Sequence, residues 1–312
     1  MSDRGQATVA YLSGGVGGAR LAHGLHQLIG PDRLRCIINT GDDLVHWGLH
    51  VSPDVDTMLY TLADVADVER GWGLAGETFA ALEWVKRYGG PDWFALGDRD
   101  LATHLMRTEW LRSGLSLTEV TQRLRSRLGI ATPLLPMSDD RCETMIDTDQ
   151  GTLGFQPWLV GARGVPAVRK VWFRGDARPT REVLDVLEHA RLIIIGPSNP
   201  YVSVEPILAL PGVRERVQAK PVLAVSPIVH GRAVKGPLAG MLETLGGLSP
   251  SAASIARHYG SLLHAYVVER GDEAAITGLP VLATRTVMDT RAASRVLAAR
   301  IMDFAEHSGL WS

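Results

Sequence analysis

Thr8-Val9-Ala10-Tyr11-Leu12-Ser13-Gly14-Gly15-Val16-Gly17-Gly18-Ala19-Arg20 passes from an apolar strand through a glycine turn into a helix. The helix continues to Ile29, with Leu21, Leu25, Leu28 and Ile29 at helical spacing. A second apolar run, Leu34 to Asn39, completes a βαβ unit whose crossover length suits parallel pairing. This start predicts an α/β, Rossmann-like fold: a mostly parallel sheet with helices on both faces. Working outward, residues 55–128 are mostly helical, so a helical layer or insertion is expected over 71–130, with Ser116 and Glu119 forming a capping box. Residues 141–175 are richer in β-branched and aromatic residues and predict a short β segment with a hairpin near Asp149-Gln150-Gly151. The alternation resumes with a helix near Arg181 to Ala190 and strands at Leu192 to Ile195 and Val222 to Val225. A last helix, Arg291 to about His307, follows a Thr290 cap. No repeat or linker divides the chain, so residues 1–312 are expected to form one α/β unit.

Composition narrows the function. Lys plus Arg number 32 against 34 Asp plus Glu, a net charge of -2, which disfavours a nucleic-acid binder. No apolar run approaches the ~20 residues of a membrane span. Met1 to Gln6 is short and polar, without signal-peptide features, so cytoplasmic residence is expected. Two cysteines, Cys36 and Cys142, exclude a disulfide framework and a Cys-rich zinc site, and are expected to be packing residues.

The glycine loop Gly14-Gly15-Val16-Gly17-Gly18 lets backbone approach a ligand and presents amides at a helix start, as phosphate binding requires. A ligand-free tight turn is the competing reading. Arg20 stands at the third glycine of the dinucleotide fingerprint, and no Gly-Lys-Ser/Thr ending marks a P-loop. Asn39-Thr40-Gly41-Asp42-Asp43 follows the second strand, and Ser52-Pro53-Asp54-Val55-Asp56-Thr57 opens a helix. Carboxylates so placed suit Mg²⁺, which shares oxygen ligands with substrate phosphates. Asp42 and Asp56 are the stronger candidates; for Asp54 and Asp43, capping and solvation compete evenly with a ligand role. In Leu96 to Leu105, Asp100 could cap a helix, His104 reads as a partly buried structural residue, and Arg99 could reach a phosphate or ring edge. Pro136 to Asp140, Gly196-Pro197-Ser198-Asn199-Pro200 and Ser226-Pro227-Ile228 supply further polar loops beyond strand ends. Trp47, Trp72, Trp84 and Trp93 read as core residues. No Ser/His/Asp order or Gly-x-Ser-x-Gly elbow is present.

Taken in order, these short motifs closely resemble those of the 2-phospho-L-lactate transferase family, which makes the deazaflavin coenzyme F-420. The resemblance spans most of the chain. It implies a reaction in which the terminal ribityl hydroxyl of the deazaflavin Fo attacks the acyl-side phosphorus of a lactyl, enolpyruvyl or glyceryl diphosphoguanosine. GMP then leaves, and Mg²⁺ is required. It further implies Asp56 and Arg99 at Fo, Asp42 and Asp56 at the metal, and Gly14, Gly15, Gly17, Gly18, Ser198 and Asn199 at the diphosphate and nucleotide. A homodimer is implied as well. The general base stays open between Asp42 and Asp56. The rival is a non-catalytic nucleotide-sugar-binding regulator of the same Rossmann-like superfamily, which the Pro-Asp-x-Asp-Thr and Gly-Asp-Arg-Asp pair disfavours.

Overall fold

The computed structural model describes residues 8–234 and 236–311; Met1 to Gln6 lies outside them. Strand β1 (Val9–Ser13) leads through Gly14 into helix α1 (Gly15–Ile29), then β2 (Leu34–Ile38). β1 is an inner strand, fifth of seven, in a sheet of the order Val281–Ala283, Ala265–Val268, Val222–Val225, Leu192–Ile195, β1, β2, Leu134–Pro136. Every pairing is parallel, so the sheet is wholly rather than mostly so. A parallel sheet needs cover on both faces. Alternation along β1 shows how this sequence provides it. Val9 and Tyr11 face a core with α1, helix α2 (Pro53–Leu62) and the Arg291–His307 helix, whereas Ala10 and Leu12 face the helices Arg181–His189, Val213–Gln218 and Ala252–Tyr259.

Three helices, Ala80–Arg87, Asp98–Arg112 and Leu117–Arg127, lie within residues 71–130. The last carries the Ser116–Glu119 capping box, and Thr290 caps the C-terminal helix. Glu143–Thr148, Gly151–Gly154 and Val168–Arg174 form an antiparallel sheet with its hairpin at the expected place. A second hairpin, Leu44–His46 with Leu49–Val51, was not expected. Its two central residues, Trp47 (φ 52°) and Gly48 (φ 76°), both have positive φ, the requirement of a tight primed turn. Trp47 holds that conformation while its indole N–H donates to the Pro91 carbonyl at 2.9 Å. Both cysteines are buried and unpaired. No helix among the described residues is long and apolar enough to cross a membrane.

Candidate functional site

The sheet reverses its winding between β1 and Leu192–Ile195, and their following loops part there, leaving the crevice in which open α/β sheets bind ligands. A cavity of about 500 Å³ occupies it, with Gly14 to Gly17 and Pro197 to Asn199 on one side and α2 on the other. A larger groove of about 810 Å³, lined by Trp110 and Arg123 among others, lies between the 98–112 and 117–127 helices, away from these loops.

In the lining of the cavity two carboxylates meet on one side-chain amide. The Asn39 amide donates to Asp42 Oδ1 at 3.1 Å and to Asp54 Oδ2 at 2.9 Å, while Gln156 donates to Asp42 Oδ2 at 2.9 Å. Asp54 Oδ1 accepts the Gly15 amide at 2.7 Å, so this acid sits on the first free N–H of α1. Gly14 makes that approach possible: a Cβ there would lie 2.0 Å from Asp54 Oδ2. Burial pushes the Asp42 carboxyl well above the usual range, and the Asp54 and Asp43 charges push it further. Asp54 is raised too, again by burial.

Asp56 is engaged differently. Both of its oxygens accept from the Arg107 guanidinium, with Nη1 at 2.9 Å from Oδ2 and Nη2 on Oδ1. The Arg107 side chain is wholly buried. Nη1 also lies 3.2 Å from His104 Nδ1. A guanidinium only donates, so Nδ1 accepts; Nε2 lies 3.3 Å from Asp100 Oδ1 but makes no hydrogen bond among the described residues. The Tyr60 hydroxyl donates to the same oxygen at 2.6 Å. Burial acts to raise the Asp100 carboxyl, but His104, Tyr60 and Arg107 together hold it below the usual carboxylate range. Burial and the Asp56 and Asp100 charges push the Tyr60 hydroxyl well up, keeping it a donor. Trp72, Trp93 and Phe94 also line the cavity, the last two in an edge-to-face pair.

Gly14, Gly15, Gly17, Asp42, Asp56, Ser198 and Asn199 thus line one cavity, as does Asp54. Gly18 does not: it packs under Ser13 and accepts the Tyr11 hydroxyl at its carbonyl, at 2.8 Å. Ser198 is spent on the loop, its Oγ donating to the Gly14 carbonyl at 2.8 Å, and Asn199 Oδ1 accepts the Tyr201 amide at 2.9 Å. Arg99 is exposed and outside the lining, its guanidinium donating to the Ala75 carbonyl at 2.8 Å.

Several expectations change. The acid that meets Asp42 is Asp54, because Arg107 occupies Asp56. Asp43 turns away to accept from the Ser52 hydroxyl at 2.7 Å. Asp100 is not a cap, since its helix starts at Asp98 behind Gly97. Asp139 and Asp140 border a separate cavity of about 250 Å³ with Asp43 and His50, and the Ser226 hydroxyl is closed on the Ile228 backbone. These four tryptophans are not core: Trp72 and Trp84 are 41% and 52% exposed, and Trp47 and Trp93 are half-buried. Gln156, Tyr60 and Arg107 escaped the sequence reading. The spacing of Asp100, His104 and Arg107, a polar stripe at i, i+4 and i+7 of one helix, was the available signal.

Among the described residues no three His, Cys, Asp or Glu side chains gather into a metal cluster. The donor set still fits Mg²⁺, which takes one or two carboxylates and completes its shell with water and phosphate oxygens. Asp42 and Asp54 are two buried acids bridged by one amide.

Comparison with known proteins places this chain in a family. The chain is 41% identical over 293 residues to 2-phospho-L-lactate transferase of Methanosarcina mazei, covering 92% of this chain and 96% of that one. It is 40% identical to phosphoenolpyruvate transferase of Mycobacterium avium, covering 95% and 98%. A crystal structure of a UPF0052-family protein from Bacillus halodurans shares the fold, with a TM-score of 0.61 at 16% identity, covering 95% of this chain and 99% of that one. The profile of 2-phospho-L-lactate transferase CofD matches residues 9–291, and the chain belongs to that family.

Proposed function

We propose that this protein is a phosphotransferase-type enzyme of coenzyme F-420 biosynthesis. It moves a phospholactyl, phosphoenolpyruvyl or phosphoglyceryl group from a guanosine diphospho-ester to the ribityl hydroxyl of Fo, releasing GMP. The observation that carries the reading is the make-up of one cavity, whose lining joins a pair of acids beside a helix start to Trp72, Trp93, Phe94 and hydrogen-bonding side chains.

Phosphoryl transfer depends on positioning and charge neutralisation more than on a protein nucleophile. Asp42 and Asp54 are the residues to hold Mg²⁺, with Asn39 and Gln156 fixing their oxygens. When bound, the ion supplies charge neutralisation for the diphosphate. The Val16 and Gly17 amides, at the free start of α1, are placed for phosphate oxygens. Trp72, Trp93 and Phe94 offer faces for the flat deazaflavin and exclude water around it. Asp56, neutralised by Arg107, is suited to accept a hydrogen bond from the attacking hydroxyl without repelling the diphosphate. Arg99 would reach Fo by leaving the Ala75 carbonyl. The site is expected to work in a cytoplasmic homodimer.

The test is to incubate the protein with Mg²⁺, Fo and each of the three donors in turn, following product mass and GMP. Transfer from at least one donor is expected. No product from any donor, together with unchanged Fo fluorescence at saturating protein, overturns the reading.

A further inference from the structure

The separate cavity of about 250 Å³ is lined from the segments that follow β2 and the Leu134–Pro136 strand, with Thr40, Asp43, His50 and Cys142 among its residues. Thr40 and Asp43 share one turn, the Asp43 amide donating to the Thr40 carbonyl at 3.2 Å. Thr40 is 3% exposed, and its Oγ1 is buried with no hydrogen-bond partner among the described residues. The Asp43 side chain is 10% exposed. Its Oδ1 accepts from the Ser52 hydroxyl, but Oδ2 has His50 Nε2 at 3.7 Å and no Lys or Arg in an ion pair with it among the described residues. The buried Arg107 guanidinium is spent on Asp56, and Arg141 is 74% exposed and pairs with Glu143. Asp139 and Asp140 are exposed and spend an oxygen each on the Thr118 and Arg178 amides. A buried hydroxyl and a buried carboxylate oxygen left unpaired at one cavity are costly unless a ligand joins them.

The lining narrows the ligand. Three acids repel anions, and oxygen atoms that carry negative charge suit a hard cation. Charge counting sets its valence. Four carboxylates, those of Asp42, Asp43, Asp54 and Asp56, face one buried guanidinium, that of Arg107. With all four ionised, a divalent ion at Asp42 and Asp54 leaves one negative charge. Among the described residues no three His, Cys, Asp or Glu side chains gather, and one buried carboxylate with one hydroxyl is a ligand set of low charge. We propose that this cavity binds a monovalent metal cation, K⁺ or Na⁺, through Asp43 Oδ2 and Thr40 Oγ1, with water completing the shell. The count rests on the proposed Mg²⁺ site, whereas the cavity and its unpaired hydroxyl stand without it. Asp43 follows Asp42, and its other oxygen holds Ser52, the residue before α2. The ion therefore steadies the two segments that carry Asp42, Asp54 and Asp56.

The experiment is calorimetric melting of Mg²⁺-free protein in KCl, in NaCl and in choline chloride, all at about 100 mM so that general screening is equal. Choline, its charge shielded by methyl groups, cannot take oxygen ligands. At least one metal salt should raise the melting temperature of the parent by about 2 °C or more over choline, the effect of a cation at about ten times its Kd. Thr40→Val should fold, because Oγ1 pairs with nothing, and should lose that rise, whereas Thr40→Ser should keep it. Asp43→Asn, which can still accept from Ser52, should lose it as well. Equal melting temperatures in the three salts, or a rise that Thr40→Val retains, overturns the site. So does a Thr40-dependent rise given by Mg²⁺ in choline and by neither KCl nor NaCl. If Thr40→Val does not fold, Asp43→Asn decides by the same criterion. Absence of transfer from every donor with the rise intact removes the proposed function and keeps this site, so the two fail separately.

Discussion

Replacing Arg107 by Met should be the most damaging single change near the cavity that leaves its lining intact. The guanidinium is wholly buried and both of its outer nitrogens bind Asp56, whose side chain is itself 7% exposed. Removing it strands a buried carboxylate and frees His104 Nδ1. Breaking one partner of such a pair costs about 3–5 kcal/mol, with no discount for solvent screening at this depth. For 312 residues the unfolding entropy, at about 2.1 cal/mol/K per residue, converts this to a fall of about 5–8 °C in melting temperature. Differential scanning calorimetry of metal-free protein measures it. The companion variant, Asp56→Leu with Arg107→Met, should recover most of the loss, because a packed apolar pair replaces the ion pair without stranding a charge. That double variant should be stable and inactive. A melting temperature within 1–2 °C of the parent for Arg107→Met alone, a shift of about 1 kcal/mol on the same scale, would mean that the guanidinium does not neutralise Asp56.

Gly14→Ala puts a Cβ where Asp54 Oδ2 now lies, 2.0 Å away, and should weaken Mn²⁺ or Mg²⁺ binding about 10- to 100-fold by calorimetry; unchanged affinity would remove Asp54 from the cation site. Burial raises Asp42 and Asp54 in the fold, so each stabilises most when protonated, below the unfolded carboxylate value of about 3.9, and that contribution is lost as pH rises through the raised folded value. Metal-free Asp42→Asn should therefore melt above the parent at neutral pH, with the difference shrinking on acidification; a difference that grows as pH falls would reverse the sign of the Asp42 environment. Arg99 is exposed and spends one hydrogen bond on a carbonyl, so Arg99→Ala should change stability by no more than about 0.5 kcal/mol. The same variant should lower Fo affinity about tenfold, and an unaltered titration curve would exclude Arg99 from the acceptor site.

The parts of the fold legible in the sequence were those buried on both faces, since Val9 to Leu12 and Leu192 to Ile195 are unbroken apolar runs. Ala265–Val268, though as short and as buried as Leu192–Ile195, and the half-buried Val281–Ala283 escaped the reading. The Leu44–Val51 hairpin was hidden by its turn, where tryptophan takes a conformation that usually signals asparagine or glycine. At the site, the motif around Asp54 and Asp56 was visible but its orientation was not. Residues two apart on a helix point about 200° apart, so one can face the glycine turn while the other faces the neighbouring helix. Which one does so depends on Arg107, 51 residues further along the chain, and no local pattern reports a pairing at that distance.

The inner position of β1 also governs how the molecule can be made. One edge of this strand pairs with β2, available within about 25 residues, but the other waits for Leu192–Ile195. At about 5–20 residues per second, a ribosome needs roughly 10–40 s to deliver the missing neighbour. Throughout that interval the emerging chain holds an apolar strand with one open row of amides and carbonyls, a template for pairing with another nascent chain. The cost of a binding crevice at the sheet's centre is thus a window of vulnerability during synthesis, and truncations ending before Leu192 should be recovered as aggregates rather than as a folded half.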